Sequence, residues 1–234
     1  MIDKLLWTNK DINYLLRKNI VEYDMQAASL SVSRRFNLIE PNRLVQLEQM
    51  PKEQRTVQVG LMQRDDKEFS EKMIQGIIKT RQDFLDKNHI KESDILCCHS
   101  DAVIFEQSNA KIYDTIDNVK FNNKNRWTSY INYNGIEMYY ADGCIDYKGI
   151  PKNMLRQHTL GLNIYLINIF RMLEDYDPSI IKYIKKFQLR YMQDKLPEHF
   201  YLPFIHNTPY KYGNLSLFAF IANIIIGDRH EHRW

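Results

Sequence analysis

The amino-acid sequence predicts an α+β fold, on three observations. Two short apolar runs, Ile95–Cys98 and Ala102–Phe105, are separated only by His99-Ser100-Asp101, the pattern of a strand hairpin carrying a carboxylate at its turn. Ahead of this hairpin, Phe69, Met73, Ile77 and Phe84 recur every three or four residues through a charged segment, which puts them on one face of a helix. Behind it, the stretch from Lys120 to Ile150 is rich in aromatic residues, and from about Met154 the pattern turns helical again. Strand, helices, antiparallel strands, helices is the order of an α+β protein and not of an alternating βαβ one.

Taken from the N-terminus, "IVEYD" (20–24) reads as a short strand ending in Asp24, and "MQAASLSVSRRF" shifts to helical spacing. Residues 52–88 form the amphipathic helical segment, and "DILCCHSDAVIFEQ" (94–107) the hairpin. In "KFNNKNRWTSYINYNGIEMYYADGCIDYKGI", Asn134-Gly135 between two strand-like runs is a two-residue hairpin turn. "LGLNIYLINIFRMLEDYD" and "PSIIKYIKKFQLRYMQ" are helices, with Pro178 suited to the start of the second, because its missing N–H costs nothing there. "LPEHFYLPFIHNTPYKYGN" reads as a loop pinned by Pro197, Pro203 and Pro209. The expected organisation is a core over residues 1–153, with a helical insertion at about 40–92, followed by a helical region over 154–234.

Composition narrows the class of protein. A chain of 234 residues with 44% hydrophobic and 26% charged residues can bury a core unaided. The formal charge of +3 is too small to identify a nucleic-acid partner. Cys97, Cys98 and Cys144 have neither a disulfide framework nor zinc spacing, and the adjacent pair reads as buried thiols in a strand. "MIDKLLWTNKDINYLL" lacks the apolar centre of a signal peptide, and "LSLFAFIANIIIG" (215–227) falls short of the ~20 residues that span a bilayer. A cytoplasmic protein with no membrane partner is expected. His230 and His232 near the chain end read as solvated, while His89, His158, His199 and His206 have no ligand spacing.

Two carboxylates carry the functional reading. Asp24 ends one strand and Asp101 sits at the hairpin turn, so both meet at one sheet edge if those strands are neighbours. Close carboxylates repel each other unless a cation neutralises them. Mg²⁺ (or Mn²⁺) accepts hard oxygen ligands of this kind, together with substrate phosphates. A pair of solvated turn residues is the alternative reading of the same pattern.

In order, the segments resemble the palm and fingers of family B DNA polymerases, over roughly residues 20–152. "EYDMQAASLSV" is similar to the strand and helix start holding that family's first metal carboxylate, and "HSDAVIF" to the hairpin holding the second, with Asp101 at the later aspartate. "KEQRTVQVG" (52–60) keeps the spacing of a fingers-helix Lys and Gly. "NKNRWTSY" is similar to the basic-aromatic element that holds primer phosphates, and "CIDYKGI" to a strand ending in Lys-Gly. The resemblance implies a palm-like core, a fingers-like insertion and a thumb-like helical region.

It also implies a metal-dependent nucleotidyltransferase that extends a nucleic-acid 3′ end with nucleoside triphosphates, of a phage or mobile-element type. Asp24 and Asp101 would hold Mg²⁺ or Mn²⁺. Lys52 and Arg55, one turn apart, would hold the triphosphate. Lys124, Arg126 and Trp127 would hold a DNA primer-template by charge and an aromatic plane, and Lys148 a backbone phosphate. Arg64, Lys67 and Arg81 read instead as a solvated basic face, and Lys148 equally as a guard against strand-edge pairing.

The chain departs from the family pattern in places. His99 replaces the first hairpin aspartate, and Thr56, Val57 and Val59 replace the fingers Asn, Ser and Tyr. Ser29 stands where the family has a tyrosine that excludes a ribose 2′-hydroxyl, which implies tolerance of ribonucleotides and is compatible with primase-like synthesis. With the first candidate metal carboxylate already at residue 24, no proofreading exonuclease region is expected. A non-catalytic nucleic-acid-binding or replication-accessory protein on a degenerate palm, working with other replication proteins, is the competing expectation.

Overall fold

A computed structural model describes residues 2–108, 111–133, 135–149, 152–193 and 195–197. Its strands are β1 (Leu6–Thr8), β2 (Tyr14–Leu15), β3 (Ile20–Met25), β4 (Ile95–His99), β5 (Ala102–Glu106), β6 (Thr115–Ile116), β7 (Val119–Trp127), β8 (Ser129–Tyr133), β9 (Ile136–Ala141) and β10 (Cys144–Lys148). Its helices are α1 (Ala28–Phe36), α2 (Pro41–Gln49), α3 (Lys52–Asp65), α4 (Lys67–Lys87), α5 (Lys152–Glu174) and α6 (Ile180–Met192). The class is α+β, as the sequence pattern implies. No helix among the described residues is long and apolar enough to cross a membrane.

The chain forms two units, one of residues 1–11 and 19–126, the other of residues 12–18 and those from 127 onward. In the first, six strands lie in the order β1-β4-β5-β3-β7-β6. The hairpin β4–β5 pairs on one side with β1 and on the other with β3, all antiparallel. Strand alternation puts Val21, Tyr23 and Met25 of β3 and Val103 and Phe105 of β5 into the core, together with the apolar face of α4. Phe69, Met73, Ile77 and Phe84 are all buried there. Phe84 stacks on Phe121 at 4.2 Å between ring centroids and meets Tyr23 at 5.4 Å.

The helical segment predicted over 52–88 is broken in two. Asp66 is extended (φ −128°, ψ 106°), and its carboxylate accepts the Phe69 N–H at 3.0 Å, capping α4. A capping aspartate offers the backbone an alternative to continuing the helix. Further along α4, Gly76 lets α1 approach closely: a Cβ there would stand 2.5 Å from Val32 Cγ1.

In the second unit the sheet order is β10-β9-β8-β2. Ile131, Met138 and Tyr140 pack with Tyr165, Leu166, Ile169 and Phe170 of α5 and with Ile184 of α6. Strands β8–β10 therefore belong with the helices that follow them, and the division falls between 126 and 127 instead of between 153 and 154. The physical reason is that these strands bury their apolar face on α5. Gly135, the second residue of the turn between β8 and β9, has φ +79°, a left-handed conformation that favours glycine. Before α6, the Asp177 carboxylate accepts the Ser179 N–H at 2.8 Å, so a side-chain cap accompanies Pro178 at the helix start. The proline-pinned loop beyond Pro197, the 215–227 segment, Asn134, His199, His206, His230 and His232 lie outside the described residues.

Candidate functional site

Asp24 pairs with Ala102 across β3–β5, and Ala102 pairs with His99 across the hairpin, so the turn at Ser100-Asp101 reaches the end of β3. The Met25 N–H donates to the Asp101 carbonyl at 3.2 Å and closes this junction. Ser100 takes the left-handed conformation (φ 57°) that a two-residue hairpin turn requires. The Asp24 and Asp101 residues are thereby brought side by side at one sheet edge, although they stand far apart in the chain. Burial first, and the Asp24 charge second, push the Asp101 carboxyl up from its ordinary value.

A cation already faces this pair. Lys124 Nζ lies 3.3 Å from Asp24 Oδ2, and Asp24, then Glu22 and Asp101, raise the Lys124 pKa against the opposing effect of burial. Glu22 precedes Asp24 by two residues, so it shares the sheet face turned away from the core. Its carboxylate is buried, at 3% residue exposure, and accepts from the Asn125 amide at 2.5 Å. Three carboxylates thus act on one ammonium, Asp24 by direct contact and Glu22 and Asp101 by their charge. Glu22 and Asn125 were not singled out from the sequence, although the spacing in "EYD" already places Glu22 on the Asp24 face.

The turn is held from behind by Arg81. Its guanidinium donates to the Ser100 carbonyl at 2.8 Å, to the Leu5 carbonyl at 3.1 Å and to the Lys4 carbonyl. The Leu5 carbonyl also accepts the Ser100 N–H at 3.1 Å. Arg81 is 1% exposed, and burial lowers its pKa. The expectation of a solvated basic face fails for this residue, because the turn and the N-terminal segment offer carbonyls that only a buried multiple donor satisfies. No carboxylate partner announces such an arginine in the sequence.

The remaining expected site residues are distributed as follows. Ser29 is half-buried in the first turn of α1, which starts shortly after Asp24. Arg126 is exposed at the end of β7, beside Lys124 in sequence. Lys52 is exposed and Arg55 half-buried in the first turn of α3. Among the described residues, neither makes a side-chain hydrogen bond or ion pair with Asp24, Asp101 or Lys124. Helix α3 buries only Val59.

Trp127 and Lys148 lie in the second unit. Trp127 is 4% exposed, tilts on Tyr139 at 4.5 Å and donates its indole N–H to Asp146 at 2.8 Å. The expected stacking of Trp127 on a base is therefore corrected: its ring is a core residue with no free face. Lys148 sits on the edge strand β10 with its ammonium 5.8 Å from the Tyr139 ring centroid.

Fold and site together define an α+β protein with paired carboxylates at the junction of a strand and a hairpin turn, countered by one lysine. The chain belongs to the Bacteriophage PBS1 gene 130 protein family, whose model matches residues 1–228. No curated protein and no solved structure matches it.

Proposed function

We propose that the chain is a metal-dependent nucleotidyltransferase of the palm type, extending a nucleic-acid 3′ end with nucleoside triphosphates. One observation carries the reading: Asp24 and Asp101 arrive from a strand and from the turn of the neighbouring hairpin, and the backbone pairing sets them side by side at one sheet edge. That juxtaposition is unfavourable unless a cation is close, and four hard carboxylate oxygens suit Mg²⁺ or Mn²⁺. Bound there, such ions supply Lewis-acid stabilisation of phosphoryl charge. The chain's own residues orient the partners. Asp24 and Asp101 define the centre, and Lys124 and Arg126 offer cations to the phosphates of a primer-template strand. Lys52 and Arg55 serve the triphosphate in this reading, and the half-buried Ser29 leaves room beside the sugar.

A second reading is favoured by the Lys124–Asp24 ion pair, which offsets the Asp24 charge without a metal. On it, the chain is a non-catalytic nucleic-acid-binding or replication-accessory protein. A labelled primer-template, incubated with nucleoside triphosphates and Mg²⁺ or Mn²⁺, separates the two. Extension that disappears in Asp24→Ala and Asp101→Ala while binding persists supports the enzyme. Binding by the wild type without extension under either ion rejects it for the accessory reading.

A further inference from the structure

Lys124 occupies an unusual place for a residue expected only to hold a nucleic-acid strand. Its side chain remains about half exposed (55%), whereas that of Asp24 is 28% exposed and Glu22 is buried. The carboxylates are thus fixed by the strand, the turn and the Asn125 amide, and the ammonium comes to them on a flexible four-carbon stem. One monovalent charge set among three carboxylates leaves the cluster under-neutralised, and a divalent ion at the same place compensates it better.

We propose that Lys124 is an internal counter-ion that competes with the divalent ion for Asp24 and Asp101, and that metal entry releases it to the phosphates of the bound substrate. The inference rests on the nucleotidyltransferase reading and deepens it. In the metal-free protein Lys124 keeps the paired carboxylates together, at 3.3 Å from Asp24. When the ion arrives, the ammonium loses its place and swings outward, which its exposed stem allows without disturbing the core. The same residue then holds the site together before loading and offers a cation to phosphate afterwards. Because only one of the two cations can sit against Asp24, their binding is mutually exclusive, and removing the lysine charge strengthens metal binding.

The test is Mn²⁺ binding to the full chain, followed by calorimetry or by electron paramagnetic resonance of the free ion, for wild type, Lys124→Gln, Lys124→Arg and Asp24→Asn. Lys124→Gln is expected to bind Mn²⁺ at least about 5-fold more tightly, the lower end of an ordinary coupling between two ligands. Lys124→Arg, which keeps the charge, should remain near wild type, and Asp24→Asn should bind weakly. Equal or weaker Mn²⁺ binding by Lys124→Gln overturns the proposal while leaving the nucleotidyltransferase reading standing. Tightening in Lys124→Arg equal to that in Lys124→Gln also overturns it, because charge is then not the cause. Absence of Mn²⁺ binding in both wild type and Lys124→Gln overturns this proposal and the metal-dependent reading together.

Discussion

Replacing Arg81 with methionine tests the support of the Asp101 turn directly. The substitution keeps much of the apolar stem and removes the donors to the Ser100, Leu5 and Lys4 carbonyls. A hydrogen bond to a charged group contributes about 1.5–3 kcal/mol, and an orphaned buried acceptor costs about 1–3 kcal/mol. Lys4 is exposed, so its carbonyl turns to water, the Leu5 carbonyl keeps the Ser100 N–H, and the half-buried Ser100 carbonyl is the acceptor left orphaned. Relief from keeping a cation at 1% exposure offsets part of this. The expected net destabilisation is about 3 kcal/mol. At an m-value of about 2 kcal/mol/M, the urea midpoint of the first unit then falls by about 1.5 M.

Hydrogen exchange adds a local readout. The Ser100 amide, bonded to the Leu5 carbonyl, should lose protection beyond the global change, and Arg81→Lys should fall between wild type and Arg81→Met. A midpoint within about 0.3 M of wild type, or unchanged relative protection at Ser100, refutes the claim that Arg81 holds the turn.

Three further outcomes follow from the same structure. Gly60 and Gly76 are both helical, yet Ala at Gly60 meets open space and gains about 1 kcal/mol of helix propensity. Ala at Gly76 collides with Val32 and is expected to lose about 1–3 kcal/mol by overpacking; thermal melts giving both the same sign would contradict the α1–α4 contact. Burial pushes the Cys98 thiol up to about 11 from 9.0, so it stays protonated and inert at pH 8 beside the equally buried Cys97. A thiol reagent should count only the exposed Cys144 in the native protein and all three cysteines after denaturation. Because the folded thiol holds its proton longer than the unfolded one, stability also falls as pH rises from 9 toward 11. Ser29→Tyr should suppress ribonucleotide incorporation and spare that of deoxynucleotides in the primer-extension assay; strong rejection of ribonucleotides by the wild type would refute the assignment of Ser29.

Local periodicity decided much of this protein before any tertiary contact is considered. The α4 face of Phe69, Met73, Ile77 and Phe84, the hairpin around Ser100-Asp101 and the α+β class are all legible as patterns of period 3.6 and period 2, since alternation and helical pitch dictate which side chains turn inward. Adjacency of Asp24 and Asp101 was legible only as a condition on strand order. The β3–β5 pairing fulfils that condition, because Val21, Tyr23, Val103 and Phe105 bury one common face.

Other features depended on partners distant in the chain. Arg81 reads as one more surface cation in α4 until the Lys4, Leu5 and Ser100 carbonyls converge on it. Trp127 reads as a nucleic-acid contact until Tyr139 and Asp146 enclose it. Lys124 reads as a phosphate ligand until β7 carries it to Asp24. Charge and aromaticity are properties of a residue, whereas burial and pairing are properties of the contacts around it, and only the tertiary structure supplies those.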